Sequence, residues 1–462
     1  RAEPLEPVEG EMTGAKIFAL QEAVARAVVQ RLTRRTTTAA TALPTANMEA
    51  YDRFLRARAL RMRSSGPGAY EAMNQFEQVV RLDPNFAAAW AGLAEVAASL
   101  GRGSGGFDMS EETRRRAVLA AARAAELGPD LPEAFIARAT VALRMETDTD
   151  AAERELAIVA RLQPQSADLA RMRAWVEADR DPASPRLPEL ANRAVALDPE
   201  NPMTLMRMGI LLSRNGQFAR ADELLRRSSA IGQSQSSFHW AARNWITWTG
   251  DLAEGIRVSE ACPESYRNEI FYRMLAPWQE QRGDWNAAKT SWEKSLALAR
   301  AEVQRPGIRA ATAAILTELG AHARRSGHDA ETKRLLAEAR GILEAVSREQ
   351  PETPFFRRQW ARLHEVGEDW RSARAALEEA EKLCRGISER EAVQEDQAAL
   401  LTATGAHDEA IAILRAAYER GRAFGYTLRH EVELKPLHAR PAFQQLMREA
   451  EGRANAIPHP KR

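Results

Sequence analysis

The sequence predicts an all-α fold, a right-handed superhelical solenoid of about ten helix-turn-helix units, and three observations carry that expectation. Residues 201–235 read as one complete unit. A Leu-x-Pro ending returns four times along the first half of the chain, at 82–84, 127–129, 162–164 and 197–199. No stretch keeps a period-two alternation for long, so no sheet is expected beyond a residual strand near the N-terminus.

Within the unit, Leu205, Met208, Gly209 and Leu212 fall at i, i+3, i+4 and i+7, one face of a helix. Asn215-Gly216 breaks the chain, and Ala221, Leu225 and Ser228 begin a second such face. Gly209 and Ala221 stand where two helices cross most closely, because a larger side chain would push the axes beyond the roughly 8–10 Å of close packing. The four Leu-x-Pro endings are spaced by 45, 35 and 35 residues, and proline is suited to them because it cannot continue a helix.

Taken in order, residues 1–15 are rich in Pro, Glu and Gly and should be extended. Residues 16–32 form a leading amphipathic helix through Ile17, Leu20, Val24, Val28 and Leu32, and 33–46 a linker. The array then runs from 47 to 425. Its second helices are marked by a small residue at Ala117, Ala152, Ala221, Gly255, Ala288, Ala373 and Ala410, with weaker members at Leu187 and Thr332. The glycine-rich insert 101–110 accounts for the 45-residue interval, and long helices account for the wide spacing around 300–350. Gly250-Asp251, Gly283-Asp284, Gly327-His328-Asp329, Gly367-Glu368-Asp369 and Gly405-Ala406-His407 place glycine after one helix and an N-cap before the next. Residues 426–462 close the chain, with a helix at 440–452 turning Phe443, Leu446 and Met447 inward to cap the last apolar face.

Composition narrows function by exclusion. Lys and Arg (65) balance Asp and Glu (64), so no overall field draws in nucleic acid or an anionic membrane. No run approaches the roughly 20 apolar residues of a membrane span. Cys262 and Cys384, expected within helices, have neither metal-ligand spacing nor a disulfide framework. The chain opens at Arg1 without Met, which points to a processed product or a fragment of something longer. Phosphate-loop, nucleophile-elbow and zinc-protease motifs are absent, so no enzyme and no cofactor is expected. His322 and His328 are too poorly placed for a metal pair, and Glu431 and Glu433 beside His430 are expected to be solvated.

A period near 34 with this grammar is that of tetratricopeptide repeats, and the chain resembles that family. Segments 18–32, 47–60, 76–96 and 434–449 are similar to the C-terminal portions of bacterial signalling proteins, in which a TolB-like or FlgO-like segment leads into such repeats. In those proteins a winged-helix domain, adenylate cyclase or kinase lies upstream. The resemblance implies a non-catalytic binding scaffold, and weakly a periplasmic location, since a membrane span often precedes the repeats.

The candidate site is aromatic. Five of the ten tryptophans, Trp240, Trp245, Trp248, Trp278 and Trp285, fall between 240 and 285. Trp285, Trp292 and Trp370 occupy packing positions. Trp240, Asn244 and Trp248 lie at i, i+4 and i+8, on first-helix positions that should face the concave surface. Met203, Met206 and Ile210 precede them in the same register, and Ile270 and Arg273 follow. A strip of Met, Trp, Asn and Arg has the composition of an interaction surface. It is expected to bind a peptide or protein partner. The alternatives are a small-molecule sensor, which would need a closed pocket instead of an open groove, and a fragment of an enzyme whose catalytic domain lies upstream.

Overall fold

The computed structural model describes residues 45–63, 67–101, 111–232, 234–301, 306–349 and 353–458. The expected leading helix at 16–32, nearly all of the linker and the glycine-rich insert after Gly101 lie outside these residues. Among the described residues there are twenty-two α-helices and no strand.

Twenty of the helices form ten consecutive pairs, each first helix packed on the second that follows it. The pairs are α1 (Met48–Arg63) with α2 (Pro67–Leu82), α3 (Ala87–Gly101) with α4 (Glu111–Leu127), and α5 (Pro132–Val141) with α6 (Thr149–Leu162). Next come α7 (Ala167–Arg180) with α8 (Leu187–Leu197), α9 (Pro202–Arg214) with α10 (Phe218–Gly232), and α11 (Gln235–Thr249) with α12 (Leu252–Glu260). The last four are α13 (Glu269–Arg282) with α14 (Trp285–Ala301), α15 (Pro306–Arg325) with α16 (Asp329–Glu349), α17 (Pro354–Val366) with α18 (Trp370–Leu383), and α19 (Ile387–Ala403) with α20 (His407–Glu419). A short helix α21 (Thr427–His430), a 3-10 segment Val432–Ala439 and α22 (Pro441–Asn455) end the chain. The all-α solenoid is therefore as the periodicity indicated.

Local chemistry explains the boundaries. Helices α2, α4, α6 and α8 all stop at the leucine of a Leu-x-Pro ending. Ser166, Asn201, Asp251 and Asp369 accept backbone N–H groups of the first turn they precede, which satisfies donors that no intrahelical carbonyl can reach. Gly216, Gly250, Gly283, Gly327 and Gly405 take the left-handed conformation after a first helix, whereas in the 367–369 turn it is Glu368 that does so, at φ 62°. Ala117, Ala152, Ala221, Ala288, Ala373 and Ala410 are each 0% exposed in their second helices, where first and second helices meet. The wide spacing near 300–350 is the length of α15 and α16, 20 and 21 residues.

Some placements differ from expectation. Cys262 lies just past the end of α12 and Cys384 caps α18, so neither is inside a helix. Both are free thiols, and burial pushes each up to about 11, which keeps them protonated near neutral pH. Trp292 is buried, but Trp285 and Trp370 are the first residues of α14 and α18 and are 36% and 38% exposed. A first-turn side chain projects past the edge of the helix it packs against, so these two are not core.

Helix α22 covers the last pair, with Phe443 and Leu446 fully buried in a cluster with Ile411, Leu414 and Ala417. It also reaches far back along the chain, because the C-terminal segment returns to α9–α11. Ala454 packs with Phe218 and Trp248. The Tyr426 N–H donates to the Thr247 carbonyl at 2.8 Å, and Arg214 of α9 pairs with Glu391 of α19 at 3.1 Å. Gly425 is required at this crossing, since a Cβ there would lie 1.9 Å from the Thr247 oxygen at a φ of +52°.

Candidate binding site

Successive first helices pack side by side and present one continuous face. The half nearer the C-terminus holds a cavity of about 400 Å³ between α13, α15, α17 and α19, closed by the returning residues 424–434. Arg362 at its centre donates to both carboxylate oxygens of Glu318, at 2.8 and 2.9 Å, and also meets Glu365 and Glu433 at 3.3 and 3.4 Å. Arg358 makes a two-point pair with Asp396 at 2.5 and 3.0 Å.

Burial pushes the carboxyls of Glu318, Glu365 and Glu431 upward, and the neighbours decide the outcome. For Glu318 the Arg362 charge and hydrogen bonds outweigh burial and hold it below the usual range. For Glu365 burial wins over Arg362 and raises it to about 7. Glu431 is raised to about 8 by burial and then by the like charges of Glu433 and Glu395. Glu431 and Glu433 were expected to be solvated; they line the cavity instead, because the returning segment carries them into the concave face. His322, half of the discounted histidine pair, is buried with its Nε2 2.6 Å from Glu280. Trp292 donates to the same carboxylate at 2.8 Å, and no group that could hold a metal occurs among the described residues.

Of the aromatic strip, Met203, Met206, Ile210, Trp240 and Arg273 are half-buried on α9, α11 and α13. Met206, Ile210 and Trp240 rest on the core beneath them. Ile270 is buried, at 5% exposure. Asn244 and Trp248 are 1% and 2% exposed and do not share an open surface with Trp240. Steps of four residues advance about 40° around a helix, so Trp248 has turned about 80° from Trp240. That rotation sets it against Phe218 and Ala454, while the Asn244 amide donates to the Phe218 carbonyl at 3.1 Å. The open face of α11 runs through Trp240, Arg243 and Thr247.

Arginine is what sequence reasoning missed on this face. Arg171 of α7, Arg207 of α9 and Arg243 of α11 join Arg273 of α13 on successive first helices. The π-helical turn Ala142–Glu146 that prolongs α5 adds Arg144. The guanidinium groups of Arg144 and Arg207 stand 4.7 and 5.8 Å from the centre of the Trp175 ring, and that of Arg243 is 5.1 Å from Trp240. Burial lowers Arg207 well below the usual range, and the charges of Arg144, Arg171 and Arg61 lower it further. Burial together with Arg243 and Arg273 pushes His239 down to about 3, so it is neutral. A usable signal existed in the isolated Arg207 between Met206 and Met208, but arginine is so common in this chain that the pattern does not stand out.

No family model and no curated protein matches the chain. Among solved structures, yeast Tom70 is similar over 88% of this chain and 95% of its own, with 15% identity and a TM-score of 0.35. PilF of Pseudomonas aeruginosa matches over 57% and 96%, with 20% identity and a TM-score of 0.28. YrrB, described as a TPR protein with an unusual peptide-binding site, matches over 40% and 91%, with 15% identity and a TM-score of 0.26. Similarity at this level carries nothing about partners.

Proposed function

We propose that the protein is a non-catalytic tetratricopeptide scaffold whose concave face binds a peptide or protein segment, as the sensory or assembly part of a bacterial signalling system. One observation carries the binding role: the face of the first helices already accommodates a non-repeat stretch of its own chain, through the Tyr426–Thr247 backbone hydrogen bond and residues 424–434 against the cavity. A surface that holds one irregular segment by backbone and side-chain contacts is built to hold another of similar chemistry. The signalling context is supported by the resemblance of segments 18–32, 47–60, 76–96 and 434–449. Met203, Met206, Ile210, Trp240 and Arg273 are the accessible members of the proposed contact strip.

A photo-crosslinking residue placed at Ile210 should capture a partner in cells of the source organism, and one placed at Leu119, 67% exposed on a second helix, should not. Equal capture at both positions, or none at Ile210, would reject the concave face as the site. A second reading is favoured by the cavity, whose volume of about 400 Å³ falls within the roughly 300–1,000 Å³ of small-molecule sites. In that reading the scaffold senses a compound held by Arg358, Arg362 and Glu431. A metabolite library screened by melting temperature, against the parent and Arg362→Gln, tests it, and no stabiliser specific to the parent would dismiss it.

A further inference from the structure

We infer that the concave arginines of α7, α9, α11 and α13 form a site for an extended acidic peptide segment, with a carboxylate at about every third residue. This deepens the scaffold reading and rests on it. The geometry points there through a contrast between arginines. Other arginines facing the concave side are matched: Arg214 with Glu391, Arg358 with Asp396, Arg362 with Glu318, and Arg422 with Glu395. Arg171, at the head of the ladder, is held by Asp168 of its own helix. Arg207, Arg243 and Arg273 have no carboxylate within ion-pair distance among the described residues, although each is at least partly open to the groove. The Nε and Nη2 of Arg273 are buried and donate to nothing. Guanidinium donors left unmatched in a recess cost free energy, and several of one sign held close together cost more. Such an arrangement is relieved by an anion arriving from outside.

Spacing sets the chemistry of that anion. Neighbouring first helices lie about 10 Å apart, so the ladder from Arg171 to Arg273 covers roughly 30 Å. An extended peptide of the polyproline II type advances about 3.1 Å per residue with three residues per turn, which brings a side chain on one face to each arginine at every third position. Planar guanidinium groups match carboxylates by two parallel hydrogen bonds. A nucleic-acid strand fits less well. Guanidinium groups already lie over the Trp175 and Trp240 rings that bases would stack on, and beyond Arg273 the arginines Arg358 and Arg362 are already taken by Asp396 and Glu318.

The test uses the full chain and four labelled probes followed by fluorescence anisotropy: a ten-residue peptide with Glu at every third position in a Gly/Ser background, its Gln and Lys counterparts, and a single-stranded oligonucleotide of equal charge. The Glu peptide should bind at least about tenfold more tightly than the Gln peptide, and Arg207→Gln and Arg243→Gln should each weaken it about fivefold or more. Because removing either arginine relieves crowding, neither variant should melt below the parent. If one does, the Glu-against-Gln comparison on the parent decides alone. Equal binding of the Glu and Gln peptides, tighter binding of the oligonucleotide, or no effect of the replacements in folded variants would each overturn the inference. Binding of the Gln or Lys peptide that ignores the arginines would do so while leaving the scaffold reading standing, whereas failure of concave crosslinking would remove that reading.

Discussion

Replacing Gly209 tests the repeat register at its tightest point. A Cβ built there lies 2.7 Å from Cγ and 3.0 Å from Cδ2 of Leu225, and 3.4 Å from the Ala221 carbonyl oxygen. Carbon atoms need about 3.5–4.0 Å, so α10 must give way by close to about 1 Å even for alanine. Two effects then oppose each other. Removing a mid-helix glycine gains about 1 kcal/mol of helix propensity, while overpacking costs about 1–3 kcal/mol. Gly209→Ala should therefore lose between about 0 and 2 kcal/mol. Leucine adds three more carbons against a Leu225 that is itself 0% exposed, so Gly209→Leu should cost about 3 kcal/mol or more.

Leu225→Ala alone should cost about 2–5 kcal/mol by opening a cavity, and that cavity is where the leucine introduced by Gly209→Leu must place its side chain. The double variant should therefore recover at least about 1 kcal/mol relative to the sum of the singles. Long repeat arrays can unfold in parts, so urea midpoints from circular dichroism should be read beside amide exchange in α9 and α10. A Gly209→Leu protein with the parent midpoint, or strictly additive singles, would show that these two helices do not cross where the small residues put them.

Three further expectations follow from the same contacts. Trp248→Ala should cost about 3–5 kcal/mol because the ring is sealed by Phe218 and Ala454, whereas Trp240→Ala should cost far less; equal melting temperatures would contradict their different burial. Glu431 and Glu365 are raised when folded, so between about pH 4.5 and pH 8 the unfolded chain releases protons that the folded chain keeps, and stability should fall as pH rises through that window. Glu431→Gln should flatten that decline, and an unchanged pH profile would mean that the carboxyl is not enclosed. Gly425→Ala should lift the returning segment off α11 and open residues near 420–430 to limited proteolysis, so a cleavage pattern like the parent's would count against the crossing.

How much of this was legible depended on whether a residue's role is local. Leu82, Leu127, Leu162 and Leu197 end their helices because the proline two positions on forbids continuation, and that constraint is written in neighbouring residues. Ala221 and Gly209 are small for the same reason in every such pair. The fate of Trp248 is different, since it depends on Ala454, far away in sequence, and on the superhelix turning far enough to bring the two together. A hydrophobic stripe on a helix states that something covers it and cannot state what. Here the cover is the chain's own C-terminal segment, which also removes Glu431 from solvent and gives it a role that no local pattern predicts.

The same closure limits what a partner can occupy. Arg243 feels Glu395 and Glu431 in one sense and Arg422 and Arg214 in the other, so charges of both signs meet near the place where residues 424–434 cross the face. An acidic segment entering along Arg171, Arg207 and Arg243 gains at each step until it passes Arg273. Beyond that point the arginines are already taken, Arg362 by Glu318 and Arg358 by Asp396, and residues 424–434 cross the face. The favourable track is roughly 30 Å, about nine or ten extended residues, and its far end is set by the returning residues 424–434. Charge reversal at Arg207 should then shorten the acidic segment that binds.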